Sequence, residues 1–128
     1  MYNLNRTHIF KNLYSNVYIA KKIGTQENDY YDETPIYDIP KKYMRWNVQF
    51  VKTESELLEF GENAPKMKVA TIPNTNEYAN QFNEFDLAYL DGVTPDGEVI
   101  NGQKANYRIY AVQPQNNIIK IYFLKLTK

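Results

Sequence analysis

The stretch that most constrains this fold lies near the C-terminus. Residues 106–113 and 118–126 read as two strands around the turn Pro114-Gln115-Asn116-Asn117. In the second strand Ile119, Ile121 and Phe123 fall on one face, and Ile118, Tyr122, Leu124 and Leu126 on the other. A strand apolar on both faces must be covered on both faces. A small antiparallel β-barrel or sandwich supplies one cover. The second is expected from a helix or from a neighbouring subunit, which makes Tyr122 and Leu124 candidate interface residues.

The rest of the chain agrees with a mainly β domain. Trp46-Asn47-Val48-Gln49-Phe50 alternates, placing Trp46, Val48 and Phe50 toward the core. Thr53-Glu54-Ser55-Glu56 fits a capping box, and Gly61 suits the position after a helix end. One short helix is therefore predicted over about 54–60, with Leu57 joining the core. Further strands are expected at 67–72 and 85–90. Asn101-Gly102 predicts a tight hairpin between Val99-Ile100 and the residues after Lys104. Residues 1–23 read as an N-terminal arm or strand, and 44–126 as the barrel core.

Residues 25–40 contain two prolines and many turn formers, so they read as a long loop. The loop holds Glu27, Asp29, Asp32, Glu33 and Asp38 and no lysine or arginine. The plain expectation is a solvated surface loop.

The chain has 128 residues, enough for one domain, and its 43% hydrophobic content suffices for a core. Cysteine is absent, which removes disulfides and zinc–thiolate sites. Fifteen basic residues balance fifteen acidic ones, so a surface built to grip DNA phosphates is not expected. The stretch from Met1 to Arg6 has no apolar run after its basic residue, and no segment has the length of a membrane span. Neither a secretory leader nor a membrane partner is expected.

His8 is the single histidine, and neither Ser15 nor Ser55 sits in a nucleophile-elbow motif. Gly92 and Gly97 have phosphate-loop spacing, but Glu98 stands where lysine is required. Asp91, Asp96 and Glu98 lack the spacing of a calcium loop. No carboxylate pair stands out, so no catalytic residue, metal or cofactor is expected.

The order of motifs resembles the head-closure (stopper) and head–tail connector proteins of tailed bacteriophages. The resemblance rests on Trp46-Asn47-Val48-Gln49-Phe50, then the acidic helix from Glu54 through Leu57, Leu58, Phe60 and Gly61, then Lys66-Met67. Asp86-Leu87-Ala88-Tyr89 and Tyr107-Arg108-Ile109-Tyr110-Ala111-Val112 follow in the same order. It covers roughly residues 44–126. It implies a non-enzymatic β-barrel assembled as a homo-oligomeric ring in the virion neck, put together in the host cytoplasm. The implied partners are a portal or adaptor protein above and a tail-completion protein below. DNA would pass through the channel or be held there without sequence-specific contacts, and the long loop before the Asn-Val-Gln strand, here 25–40, would line or close the channel, its acids forming a negative collar that repels DNA phosphates. The alternatives are a monomeric β-barrel binding module for a peptide or carbohydrate, and an enzyme with an unrecognised carboxylate site.

Overall fold

The computed structural model describes residues 14–27, 33–100 and 102–127. The chain is mainly β. Six strands close an antiparallel barrel: β1 (Tyr14–Ala20), β4 (Lys41–Phe50), β5 (Met67–Pro73), β6 (Leu87–Tyr89), β7 (Tyr107–Pro114) and β8 (Ile118–Lys125). Their order around the barrel is β1-β4-β5-β8-β7-β6, with β6 returning to β1 through Tyr18↔Tyr89 and Ala20↔Leu87. The barrel thus begins at Tyr14, well before residue 44. Two further strands, β2 (Lys22–Glu27) and β3 (Glu33–Tyr37), form a separate two-stranded ribbon.

Inward residues fill the barrel. Val17 and Ile19, Trp46, Ala70 and Ile72, Ala88, Tyr107 and Ile109, and Ile119, Ile121 and Phe123 form one buried cluster. The two-residue period of a strand places them there, since alternate side chains share a face. Tyr43 and Trp46 are both buried although three residues apart. A register shift between Ser15 and Val17 opposite them, with Arg45 at φ 60°, inserts the extra residue. Trp46 packs edge-on against Tyr78 and Phe82, with ring centroids 6.0 and 5.5 Å away. Its indole Nε1 is buried among these rings without a hydrogen-bond partner.

The second face of β8 is covered by the chain itself. Helix α1 (Glu54–Phe60) and a 3-10 turn (Gly61–Lys66) lie over it. Val51, Phe60, Ala64, Met67 and Tyr122 form the cluster beneath, with Leu124 packed against it. The helix starts as the sequence predicts. The Thr53 hydroxyl accepts from the Glu56 N–H at 3.3 Å and donates to Glu56 Oε1 at 2.5 Å. Gly61 ends it at φ 55°, donating its N–H to the Leu57 carbonyl.

Several expectations are corrected. Phe50 is 65% exposed, because it sits where β4 leaves the barrel; its ring lies under Lys68 Nζ at 4.7 Å. Leu57 is exposed, since α1 buries Glu56 and Phe60 instead. The span 25–40 is not a strand-free loop, because β2 and β3 pair within it. Residues 99 and 100 form no hairpin strand. They belong to a long excursion between β6 and β7, folded against β6 by Tyr89.

Candidate functional site

The barrel has no open edge, because every barrel strand pairs on both sides. The open backbone edges of the described sheets therefore belong to the β2–β3 ribbon. Its register runs Lys22↔Tyr37, Gly24↔Ile36, Thr25↔Pro35, Gln26↔Thr34 and Glu27↔Glu33. Thr, Ile and Tyr suit extended backbone. Pro35 is tolerated because each ribbon strand is an edge strand and can spare an N–H. All of β2 and four of the five residues of β3 are exposed. A two-stranded ribbon standing alone is marginal in water. Ile23 and Ile36 are exposed on it, and Ile39 follows at 77% exposure.

The base of this arm is firmly tied down. Asp86 is almost fully buried, and its carboxylate accepts from the N–H of Lys22 at 2.9 Å and of Asn83 at 3.1 Å. Burial pushes the Asp86 carboxyl up, while those two N–H donors and the charge of Lys21 pull it back; the net direction is upward. The Asp38 N–H donates to the Lys21 carbonyl at 2.8 Å, closing the ribbon where it rejoins β4. Tyr37 packs on the outer cluster of Ala20, Leu87, Tyr89 and Ala105. Gly102 lies close by at φ 88°, and a Cβ there would come within 2.5 Å of Leu87 Cδ1. The approach and the positive φ together require glycine.

The arm gathers acids at its far end. Glu27 and Glu33 face each other across the last register pair, an arrangement that destabilises a ribbon by itself. Asp29 and Asp32, expected in the same group, lie outside the described residues. Asp38 sits at the opposite end, its Oδ1 accepting from the Ile39 N–H at 2.8 Å. The three described acids are therefore divided between the far end, Glu27 and Glu33, and the base, Asp38.

Tyr122 and Leu124 do not form a free surface. Tyr122 is 2% exposed beneath α1, with its ring 4.7 Å from that of Phe60. Its hydroxyl is hydrogen-bonded to the Glu56 carboxylate. Burial, then Glu56, raises the Tyr122 phenol well above its ordinary range. Burial alone would also raise Glu56, but hydrogen bonds from Thr53 and Tyr122 and the charge of Lys120 leave it lowered. The interface expected at Tyr122 is thus occupied by the chain's own helix, which supplies the second cover that β8 requires.

Two polar clusters brace the barrel. At one end Lys68 pairs with Asp91, and the Tyr107 hydroxyl donates to Asp91 Oδ2 at 3.3 Å. Burial and then Asp91 push the Tyr107 phenol up to about 12. On the outer wall the Tyr89 hydroxyl donates to Glu98 Oε1 at 2.7 Å and accepts from the Gly102 N–H at 3.1 Å. At the other end of the barrel lies a pocket of about 200 Å³ lined by Asn74, Tyr78, Phe82, Val112, Pro114 and Ile119. Among the described residues no group of three or more His, Asp or Glu side chains is placed to hold a metal ion. No helix there is long and apolar enough to cross a membrane.

Comparison of the chain with family models, with curated proteins and with solved structures finds no match. The acids of this segment were legible in the sequence, but the pairing of β2 with β3 was not, because an exposed ribbon imposes no apolar alternation. The signal that was present is the pairing of Thr25-Gln26-Glu27 with Glu33-Thr34, extended residues on either side of a turn-rich centre.

Proposed function

We propose that this chain is a structural protein of the phage neck that assembles as a ring between the portal or adaptor and the tail, letting DNA pass or retaining it. One observation carries the reading: an arm with both faces exposed leaves a barrel that has no open edge of its own. A marginal ribbon with exposed isoleucines gains stability when a neighbour covers it. The arm also occupies the chain position, just before the Asn47-Val48-Gln49 strand, at which the resemblance implies a channel element. The order of motifs over 44–126 adds support. The net charge of zero suits a ring that surrounds DNA without gripping it.

The test uses the full chain with heads carrying the portal. Binding at the portal vertex as a closed ring, with retention of packaged DNA, is the expected result. A chain that stays monomeric and leaves the vertex unoccupied overturns the reading.

The pocket beside Tyr78 and Phe82 favours a second reading, a monomeric module that takes a peptide side chain or a sugar ring there. Trp46 abuts both rings, so binding would alter its fluorescence. Titration with peptide and oligosaccharide libraries, with no change in mass, would establish this reading in place of the first.

A further inference from the structure

A row of alternating cations and aromatic rings runs across the outside of the barrel. Lys22 Nζ lies 5.8 Å from the centre of the Phe85 ring, and the Arg108 guanidinium lies 5.3 Å from it. Arg108 is also 5.4 Å from the Tyr110 ring, and Tyr110 meets Phe60 edge-on at 5.9 Å. Neither Lys22 nor Arg108 joins an ion pair among the described residues, where Lys68–Asp91 is the one salt bridge.

Phe85 holds an unusual position in this row. It is 54% exposed and sits at φ 73°, a conformation that disfavours a bulky side chain. Its N–H donates to the Ile109 carbonyl at 3.0 Å, and the Ile109 N–H returns to the Asp86 carbonyl at 2.8 Å. The backbone thus holds an exposed aromatic ring within reach of two cations.

Resting on the ring-assembly reading, we infer that this stripe receives the acidic arm of a second copy of the chain. The charges are complementary: Glu27 and Glu33 repel each other at the tip, and Lys22 and Arg108 have no acidic partner among the described residues. The arm does not meet this need within one molecule. Its tip lies five residues along β2 from Lys22, about 16 Å of extended chain. Exposed Ile23 and Ile36 add apolar surface along the arm behind that tip. Arm and stripe are different surfaces, so the contact is head to tail, the kind that closes rings.

Charge exchange tests the contact in the full chain. Glu27→Lys with Glu33→Lys reverses the tip, and Lys22→Glu with Arg108→Glu reverses the stripe. Each pair alone is expected to weaken self-association about tenfold or more, by sedimentation velocity and native mass. Mixing the two variants, or combining all four changes in one chain, is expected to restore it. The chain has no cysteine, so disulfide trapping has a clean background. A mixture of Thr34→Cys and Glu84→Cys chains is expected to cross-link faster than a mixture of Thr34→Cys with Leu58→Cys. Unchanged circular dichroism and Trp46 emission establish that each variant folds.

Oligomers that ignore both reversals would leave the ring reading standing and overturn this contact. Open chains of subunits that respond to the reversals would support the contact and overturn the closed ring. A wild-type chain that does not self-associate, or a Thr34→Cys and Glu84→Cys mixture that cross-links no faster than the Leu58→Cys control, overturns the contact. Loss of single-stranded DNA binding on stripe reversal, with self-association unchanged, would assign the stripe to nucleic acid and overturn it equally.

Discussion

The barrel and the arm are built from the same kind of strand, yet different forces hold them. In the barrel each strand pairs on both sides and seals an apolar interior around Ile121 and Phe123. In the arm each strand pairs once, both faces meet water, and the closing pair sets one glutamate against another. Hydrophobic burial stabilises the barrel without outside help. The arm depends on its anchorage at Asp86 and Tyr37.

The largest expected contrast is in alkali. Tyr89, Tyr107 and Tyr122 are buried, and burial together with Glu98, Asp91 and Glu56 respectively raises each phenol. A raised folded pKa gives stability that is complete below the unfolded value near 10. It is lost as pH climbs from there through the folded value. Each such group removes about 1.4 kcal/mol per pH unit in that window. Stability should therefore fall steeply above pH 10, and absorbance at the phenolate band should show these tyrosines ionising together with unfolding. Ionisation of all tyrosines near pH 10 in a folded chain would break the contrast.

Phe123→Ala comes next. Its ring is fully buried in the barrel, and its removal should cost about 3–5 kcal/mol in denaturant unfolding. Phe50→Ala, at the barrel mouth, should cost less than about 1 kcal/mol, since a cation–π contact with Lys68 is what it loses. Equal losses at the two sites would contradict the placement of Phe50.

Asp86→Ala tests the joint between the two regions. It leaves the N–H groups of Lys22 and Asn83 without their charged acceptor, a loss of about 1.5–3 kcal/mol. Hydrogen exchange should quicken in 22–27 and 33–37 more than in β8. Uniform quickening would mean that Asp86 supports the barrel rather than the arm. Thr53→Ala should cost about 1 kcal/mol by removing the helix cap. The smallest effect belongs to the arm itself. Ile36→Ser should change stability by less than about 0.5 kcal/mol while weakening self-association.

The same division explains which parts of the fold were legible. Strand β8 and helix α1 could be read from residues, because burial imposes a period and Thr53, Glu56 and Gly61 mark the helix ends. The buried fate of Tyr122 was half legible: two apolar faces demand two covers, but sequence does not say whether a helix or a neighbour provides the second. Phe50 and Leu57 misled because alternation predicts a direction and not a depth; Phe50 stands at the barrel rim and Leu57 on the outer side of α1. The arm was illegible because no buried face disciplines it. The cation–aromatic stripe joins residues from β2, β7 and the turn before β6, which are neighbours in space alone.

The strand order also dictates how the chain can finish folding. Strands β6, β1, β4 and β5 can pair in that order before the C-terminal segment is available, leaving β5 and β6 as the two rims of an open sheet. The β7–β8 hairpin then enters between them, β8 against β5 and β7 against β6, and converts the sheet into a barrel. It acts as a keystone synthesised after the strands that it joins. A chain cut before residue 106 would keep two sticky rims and should aggregate, and a peptide spanning 106–127 offered in trans would be a natural agent of rescue.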